Sequence, residues 1–373
     1  NALFFFCIAA GYLHYTRYLD PETHKRGTIF DAIHWLVRQK QMADRLHGSE
    51  RKRRIIAVGY RRWKAANLQP LLSLHAEKVA FVGSVSQAEA LAPSPGDWLV
   101  HWGALAPEGL HHLAQRTRAE CVRMEDGFIR SVGLGSDLIR PRSFALDRTG
   151  IYFDATRPSD LETMLNEGAF TADELQQART AREYIVAHGI TKYNLEPRAR
   201  PHWPGSEGRR VVLVPGQVED DASIRLGCTS IRTNMALLQA VRASRLDAFI
   251  VYKPHPDVVS GNRVGRLAIR WATTVADHVE TGVSVISCIE ACDEVHTMTS
   301  LSGFDALLRG KHVVTYGQPF YAGWGLTDDR AENATAFARR TRRLTLDELV
   351  AGALIRYPVY WDWTLKGYTT CTA

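Results

Sequence analysis

The sequence lacks a run of apolar residues long enough to cross a bilayer. Its most apolar stretch, residues 3–13, falls well short of the roughly 20 residues that a membrane helix needs. That stretch has neither a basic leader nor a small-residue cleavage site, so the expectation is of a chain that is neither exported nor membrane-spanning. Cysteine is sparse and scattered. Cys7, Cys121, Cys228, Cys288, Cys292 and Cys371 form no C-x-x-C pair and have no histidine cluster nearby, which argues against zinc or disulfide frameworks and for buried thiols in a reducing compartment. Low-complexity tracts are missing, and 45% hydrophobic with 23% charged residues is the composition of an ordinary folded protein. No GKS/T, G-x-S-x-G or H-E-x-x-H pattern occurs, against P-loop, serine-hydrolase and zincin chemistries.

What is present starts with charge. The net charge of +6 suits an anionic partner, and the basic residues cluster at 51–54, at Arg61, Arg62 and Lys64, and at 339–343. Each cluster reads equally well as a solvated basic face. No nucleic-acid module accompanies the charge, so nucleic acid is not expected as a partner.

With 373 residues, the chain exceeds the size at which single cores stop growing, and two domains are expected. Short β-branched runs alternate with helical patterns twice over, the signature of parallel sheets with crossover helices. Strands are expected at 55–58, 79–82, 98–101 and 121–124, then at 211–214, 249–252, 283–286, 295–298 and 312–315. A helix over 172–188 ends at Gly189, and the proline-rich 197–204 reads as a linker. The expected division is 1–50 as the tail of a preceding module with a linker helix, 51–200 as an acceptor domain, 201–345 as a donor domain and 346–373 as a helical tail. Two Rossmann-like domains with a cleft between them describe an α/β fold of the GT-B type. The ends of the chain also repeat. Tyr15, Tyr18 and Asp20 share the Tyr-x-x-Tyr-x-Asp spacing of Tyr357, Tyr360 and Asp362, as if the first copy closed an earlier module of a tandem.

Five motifs could carry chemistry. Glu125-Asp126-Gly127 follows a strand, at the sheet edge where open α/β folds bind ligands, though an acidic pair before glycine is also a plain turn. In Lys253-Pro254-His255-Pro256 the prolines fix the backbone beside a cation and an imidazole that suit a phosphate; a rigid turn with a solvent lysine explains it equally. Ser300-Leu301-Ser302 precedes a helix, so its hydroxyls and free amides suit an anion or simply cap the helix. The loop 317–325, dense in glycine and aromatics, has a composition that lines sugar and base pockets but also packs ordinary domain edges, and Gly216-Gln217 with Glu219, Asp220 and Asp221 ends a strand at a ligand-facing edge.

Together these stretches resemble the capsule polysaccharide β-Kdo transferases of the two-module KpsC type, and less extensively the bacterial sialyltransferases. The resemblance runs through residues 125–131, 212–221, 252–256, 300–302 and 317–328. It implies transfer of Kdo from CMP-β-Kdo with retention onto a lipid-linked β-Kdo oligosaccharide, with Asp126, Glu125 and His255 catalytic. It further implies Gly127, Arg130, Gln217, Lys253, His255, Pro256, Ser300, Ser302 and Gln318 as the donor site, and no metal. The setting it implies is the cytoplasmic face of the inner membrane, attached peripherally to an anionic surface beside capsule assembly proteins. An inverting CMP-sugar transferase, or a non-catalytic module that binds nucleotide or glycan, fits the same residues.

Overall fold

A computed structural model describes residues 2–21, 23–47, 52–74, 76–133, 139–194, 198–259 and 269–371. The chain forms two compact units. One comprises Asn1–Gly127, Arg140–Leu146 and Val359–Ala373, the other Phe128–Ile139 and Asp147–Pro358. In chain order the strands are β1 (Tyr18–Leu19), β2 (Arg26–Gly27), β3 (Lys52–Val58), β4 (Ala76–Val82), β5 (Trp98–Trp102), β6 (Glu120–Asp126) and β7 (Ser143–Asp147). Those that follow are β8 (Val211–Pro215), β9 (Phe249–Lys253), β10 (His278–Val279), β11 (Glu294–Thr297), β12 (His312–Thr315), β13 (Asp328–Asp329), β14 (Pro358–Asp362) and β15 (Gly367–Thr369).

The first large sheet has the order β15-β14-β7-β6-β5-β3-β4. Its β4, β3, β5 and β6 pair in parallel, and β14 and β15 form an antiparallel hairpin. Alternation along β3 explains its burial on both faces. Ile55 and Ala57 join a core with Trp98, Val100, Val122 and Met124, while Ile56 and Val58 join another with Leu99, Leu110 and Leu113. A strand covered on both sides reads as a continuous apolar run, as 55–58 does. The second sheet is parallel throughout, in the order β10-β9-β8-β11-β12-β13. Val212, Val214, Ile250 and Tyr252 bury one of its faces against Leu237, Leu238 and Val241 of the helix Asn234–Ser244.

Several expectations change. The run 283–286 is not a strand, because the Ser284 hydroxyl accepts the Ser287 amide and opens the helix Val285–Ala291. The strand of that region is β10, only two residues long. The tail 346–373 is helical only to Arg356; β14 and β15 then extend the first sheet. The units also divide the chain differently from the expected boundaries, since 147–194 and 346–358 belong to the second unit. Pro197 lies outside the described residues. The helix Ala172–His188 forms as expected, with a Thr171–Glu174 capping box and Gly189 in a left-handed conformation at its end.

The basic clusters are largely committed to internal bonds. Arg54 pairs with buried Asp97, Arg339 and Arg340 both pair with Glu162, and Arg342 pairs with Glu348. Residue 51 is outside the described residues, whereas Arg61, Arg62 and Arg343 are exposed. Cys228, Cys288 and Cys292 are buried, but Cys7 is exposed, against the expectation of buried thiols.

Candidate functional site

Taken in sequence order, the strands of the second sheet run 3-2-1-4-5-6. In such a sheet the crossovers on the two sides of the first strand leave in opposite directions, so a crevice opens at the carboxyl ends of strands 1 and 4. Those are β8 and β11, and the chain places Gly216-Gln217 after one and 298–300 after the other.

Gln217 bridges the two ends. Its carboxamide oxygen accepts the Thr299 amide at 3.0 Å and the Thr297 hydroxyl at 3.3 Å, and its nitrogen donates to the Thr299 hydroxyl at 3.0 Å. Its backbone is held in turn by Asn234, which accepts from the Gln217 amide at 2.8 Å and donates to the Gln217 carbonyl at 2.9 Å. Gln217 therefore shapes the crevice floor with its side chain engaged inside the protein. No sequence signal linked it to Thr299 or Asn234. Thr299 opens the hydroxyl-rich run that continues into Ser300 and Ser302; Asn234 gave no such sign.

Ser300 is the N-cap of the helix Leu301–Leu308. Its hydroxyl accepts the Ser302 amide at 3.2 Å and donates to the Ser302 hydroxyl at 3.1 Å. Behind it, the Tyr321 hydroxyl donates to the Ser300 carbonyl at 2.5 Å. A β-carbon on Gly303 would overlap that Tyr321 hydroxyl, so the first turn of the helix rests directly on the ring. Burial, with Asp305 nearby, raises the Tyr321 hydroxyl pKa well above its ordinary value and keeps it a neutral donor. Lys253 ends β9, the neighbour of β8, and its carbonyl accepts the Gly216 amide at 2.7 Å. Lys253 is buried and His255 half-buried; Pro256 begins the short helix Pro256–Val259, a position that suits its missing N–H. Lys253, His255, Ser300 and Ser302 thus sit at the carboxyl edge of three adjacent strands.

The glycine-aromatic loop does something else. Phe320, Tyr321 and Trp324 are buried, the Gln318 side chain accepts the Ala336 amide at 2.9 Å, and the Gln318 amide donates to the Gly227 carbonyl at 2.8 Å. The loop is packed interior, with the Gln318 carboxamide turned inward. Arg130 is similarly engaged, its guanidinium donating to the Ser131 hydroxyl at 2.8 Å and the Ile139 carbonyl at 3.0 Å.

In the first unit, Glu125 and Asp126 are the last residues of β6, both half-buried, and the Asp126 amide donates to the Glu125 carboxylate at 2.9 Å. A β-carbon on Gly127 would overlap Ser143, whose carbonyl accepts the Gly127 amide at 3.0 Å, so this glycine sets how β6 leaves the sheet. The parallel strands here run β4-β3-β5-β6, with a switch point between β3 and β5. Tyr60 follows β3, and its hydroxyl donates to the Met124 sulfur at 3.8 Å; burial first, then the Glu125 charge, raises its pKa. Lys64 lies over the Trp102 ring, 3.4 Å from its centroid. Tyr60, Lys64 and Trp102 belong to the acidic edge; Tyr60 and Trp102 carried no motif in the sequence, and Lys64 stood out only as part of a basic cluster.

Comparison with known proteins gives the arrangement a context. The family of capsule polysaccharide biosynthesis proteins matches residues 97–202 and 199–360. The capsule polysaccharide modification protein LipA of Neisseria meningitidis serogroup B is 43% identical over 352 residues, 94% of this chain and 48% of LipA. The lipopolysaccharide-processing protein LpsZ of Rhizobium meliloti is 42% identical over 70% of this chain and 59% of its own length. The chain thus spans about half the length of the curated relatives it matches. Among solved structures, the β-Kdo 2,4-transferase of Thermosulfurimonas dismutans KpsC superposes with a TM-score of 0.72 at 31% identity, covering 87% of this chain and 97% of that one. The β-Kdo 2,7-transferase of the same KpsC gives 0.67 at 34% identity over 85% and 96%. Two doubly wound α/β units with the fold of these transferases are a GT-B-like architecture, and the chain belongs to the family of capsule polysaccharide biosynthesis proteins.

Proposed function

We propose that this chain is a retaining glycosyltransferase that moves Kdo from CMP-β-Kdo to a β-Kdo-terminated acceptor in capsule polysaccharide synthesis. The observation that carries the reading is the placement of Glu125 and Asp126 as the last two residues of a parallel strand, at the edge where such sheets act on ligands. Cleavage of the bond from the anomeric carbon to CMP builds positive charge on the sugar and negative charge on the phosphate. Asp126 attacks the anomeric carbon, CMP leaves with the electron pair of the broken bond, and the acceptor hydroxyl then displaces Asp126 with retention. Glu125 orients Asp126 and takes up the acceptor proton. Lys253, His255, Ser300 and Ser302 neutralise the CMP phosphate, with Gly216 and Gln217 as the floor.

The reading requires no metal, so EDTA is expected to leave the rate unchanged. The test is incubation with CMP-Kdo and a β-Kdo acceptor, with NMR of the product and intact mass of the enzyme. Retained configuration and a Kdo adduct lost in Asp126→Asn support it; an inverted product or no turnover refutes it. No helix among the described residues is long and apolar enough to cross a membrane. Peripheral attachment to the inner face of the inner membrane, next to a lipid-linked acceptor, belongs to the same reading. It rests on Arg61, Arg62 and Arg343, since the other clustered arginines are mostly committed. Salt-reversible co-sedimentation with anionic vesicles, absent with neutral ones, is the check.

A further inference from the structure

The acidic edge of the first sheet carries a cation that the proposed chemistry leaves without a task. Val58 of β3 lies opposite His101 of β5, and Trp102 lies opposite Met124 of β6. The three strands therefore end together, and two of them leave through a glycine with positive φ, Gly59 at 78° and Gly103 at 87°. Glycine makes such a turn at no steric cost. The Gly59 amide donates to the Val82 carbonyl at 2.8 Å and the Gly103 amide to the Met124 carbonyl at 3.1 Å, so both turns are fixed on the sheet. A β-carbon on Gly103 would come 4.0 Å from the Glu125 carboxylate, which places that carboxylate beside the end of β5.

A small aromatic cluster stands at the same end. Tyr60 meets Trp102 and Phe81 edge to face, with ring centroids 6.4 Å and 5.8 Å apart. The helix Arg62–Ser73 starts two residues after Tyr60 and brings Lys64 back to the edge, 3.4 Å from the Trp102 centroid and 5.6 Å from that of Trp63. Tyr60, Trp63, Lys64 and Trp102 are all half-buried. A ring face attracts an ammonium and fixes where it sits, yet it cancels none of the charge. Lysine also presents that charge compactly, with three donors that rotate without moving the stem.

We propose that Lys64, held on Trp102, is the residue that makes this edge select an acidic sugar over a neutral one. Glu125 and Asp126 give the edge negative charge, so a sugar carboxylate brought beside them is repelled. An ammonium in the same place offsets that repulsion and adds a charge-assisted hydrogen bond, while the half-buried rings of Tyr60 and Trp102 offer apolar surface to the sugar. A neutral sugar gains from the rings alone. The ligand class is a pyranose bearing a carboxylate; its identity as β-Kdo rests on the transferase reading above. Lys64 meets the carboxylate of the acceptor and takes no part in making or breaking bonds.

The test is NMR titration of the chain with the methyl β-glycoside of Kdo and with its carboxamide, the same sugar without the charge. Wild type should bind the acid at least about tenfold more tightly than the amide. Lys64→Met keeps an unbranched stem against the ring. In it the acid should bind only as well as the amide, with affinities for the amide and for CMP within about twofold of wild type. Lys64→Arg keeps a charge over the indole and should retain the preference. If the melting curve shows that Lys64→Met does not fold, Lys64→Gln carries the same comparison. Acid and amide bound alike by wild type overturn the proposal, as does binding of neither. Equal losses for both sugars in Lys64→Met would make the role structural and overturn it, and so would a loss of CMP affinity, which would move Lys64 to the donor. A transfer assay with CMP-Kdo separates the two readings. Selective binding of the acid without turnover refutes the transferase alone, and turnover with equal binding of acid and amide refutes only the role of Lys64.

Discussion

The two sheet edges that carry the candidate residues are built in opposite ways. In the second unit the edge is knitted by its own side chains, since Gln217, Thr297, Thr299, Asn234, Ser300 and Ser302 spend their polar atoms on one another. In the first unit, the two carboxylates of β6 stand half-buried beside an aromatic and a lysine on the neighbouring strand and helix. Under the proposed function, the difference matches the two demands of glycosyl transfer. A phosphate is best held by donors fixed before it arrives, because reorienting dipoles afterwards costs free energy, whereas a nucleophile must reach an atom that moves along the reaction path.

Substitutions can break that contrast, and the largest effect belongs to the acidic edge. Asp126→Asn should lower kcat by at least about 10³-fold, as loss of a covalent nucleophile does, while CMP affinity measured by calorimetry stays within about twofold; equal losses in both would deny the separation of roles. Next comes the helix beneath Ser300. Gly303→Ala forces a methyl into the Tyr321 hydroxyl and should cost about 1–3 kcal/mol of stability in urea unfolding, with CMP binding weakened in step. An unchanged midpoint would mean that the ring is not a rigid support.

A smaller, pH-dependent effect comes from Asp305 on the same helix. Burial pushes its carboxyl from the ordinary 3.8 up to about 7. The folded chain therefore holds a proton that the unfolded chain has released, and this contribution to stability is full below pH 4 and lost as the pH rises through about 7. Relative to wild type, Asp305→Asn should gain on the order of 1–3 kcal/mol between pH 5 and pH 7.5; parallel curves would place the proton elsewhere. The smallest effect is expected at the half-buried end of β9. His255→Ala should raise the KM for the donor by about tenfold with a lesser change in kcat, and a selective loss of kcat would move His255 from binding to proton transfer.

How far the sequence could be read follows from what each feature depends on. Strands such as 55–58 and 211–214 are apolar because both faces are covered, and the run itself shows it. The strand expected at 283–286 failed because Val-Ser-Val-Ile is β-branched, yet Ser284 sits where an N-cap belongs and a local hydrogen bond outweighed propensity. Strands β10 and β13 are two residues long and leave no periodicity to detect. At the site, residue types next to each other in sequence were legible, as with Glu125-Asp126 and Ser300-Leu301-Ser302. The bonds of Gln217 to Thr299, 82 positions away, exist only once β8 lies beside β11. Gln318 and Arg130 were implied as donor-site residues by the family resemblance alone, and the fold uses those side chains to hold loops.

The strand order of the first sheet also dictates when it can form during synthesis. The strand that covers the open side of β7 is β14, and its residues follow β7 by more than two hundred positions. At roughly 5–20 residues per second, the ribosome needs on the order of tens of seconds to deliver it, and throughout that interval β7 presents an unpaired edge. The second sheet needs nothing made after β13, so it can assemble before the first sheet is complete. The nascent chain is therefore most exposed to misassociation through a strand that the finished protein hides completely, and a chaperone that binds extended apolar segments should engage 143–147 in stalled chains and release it once residue 369 has emerged.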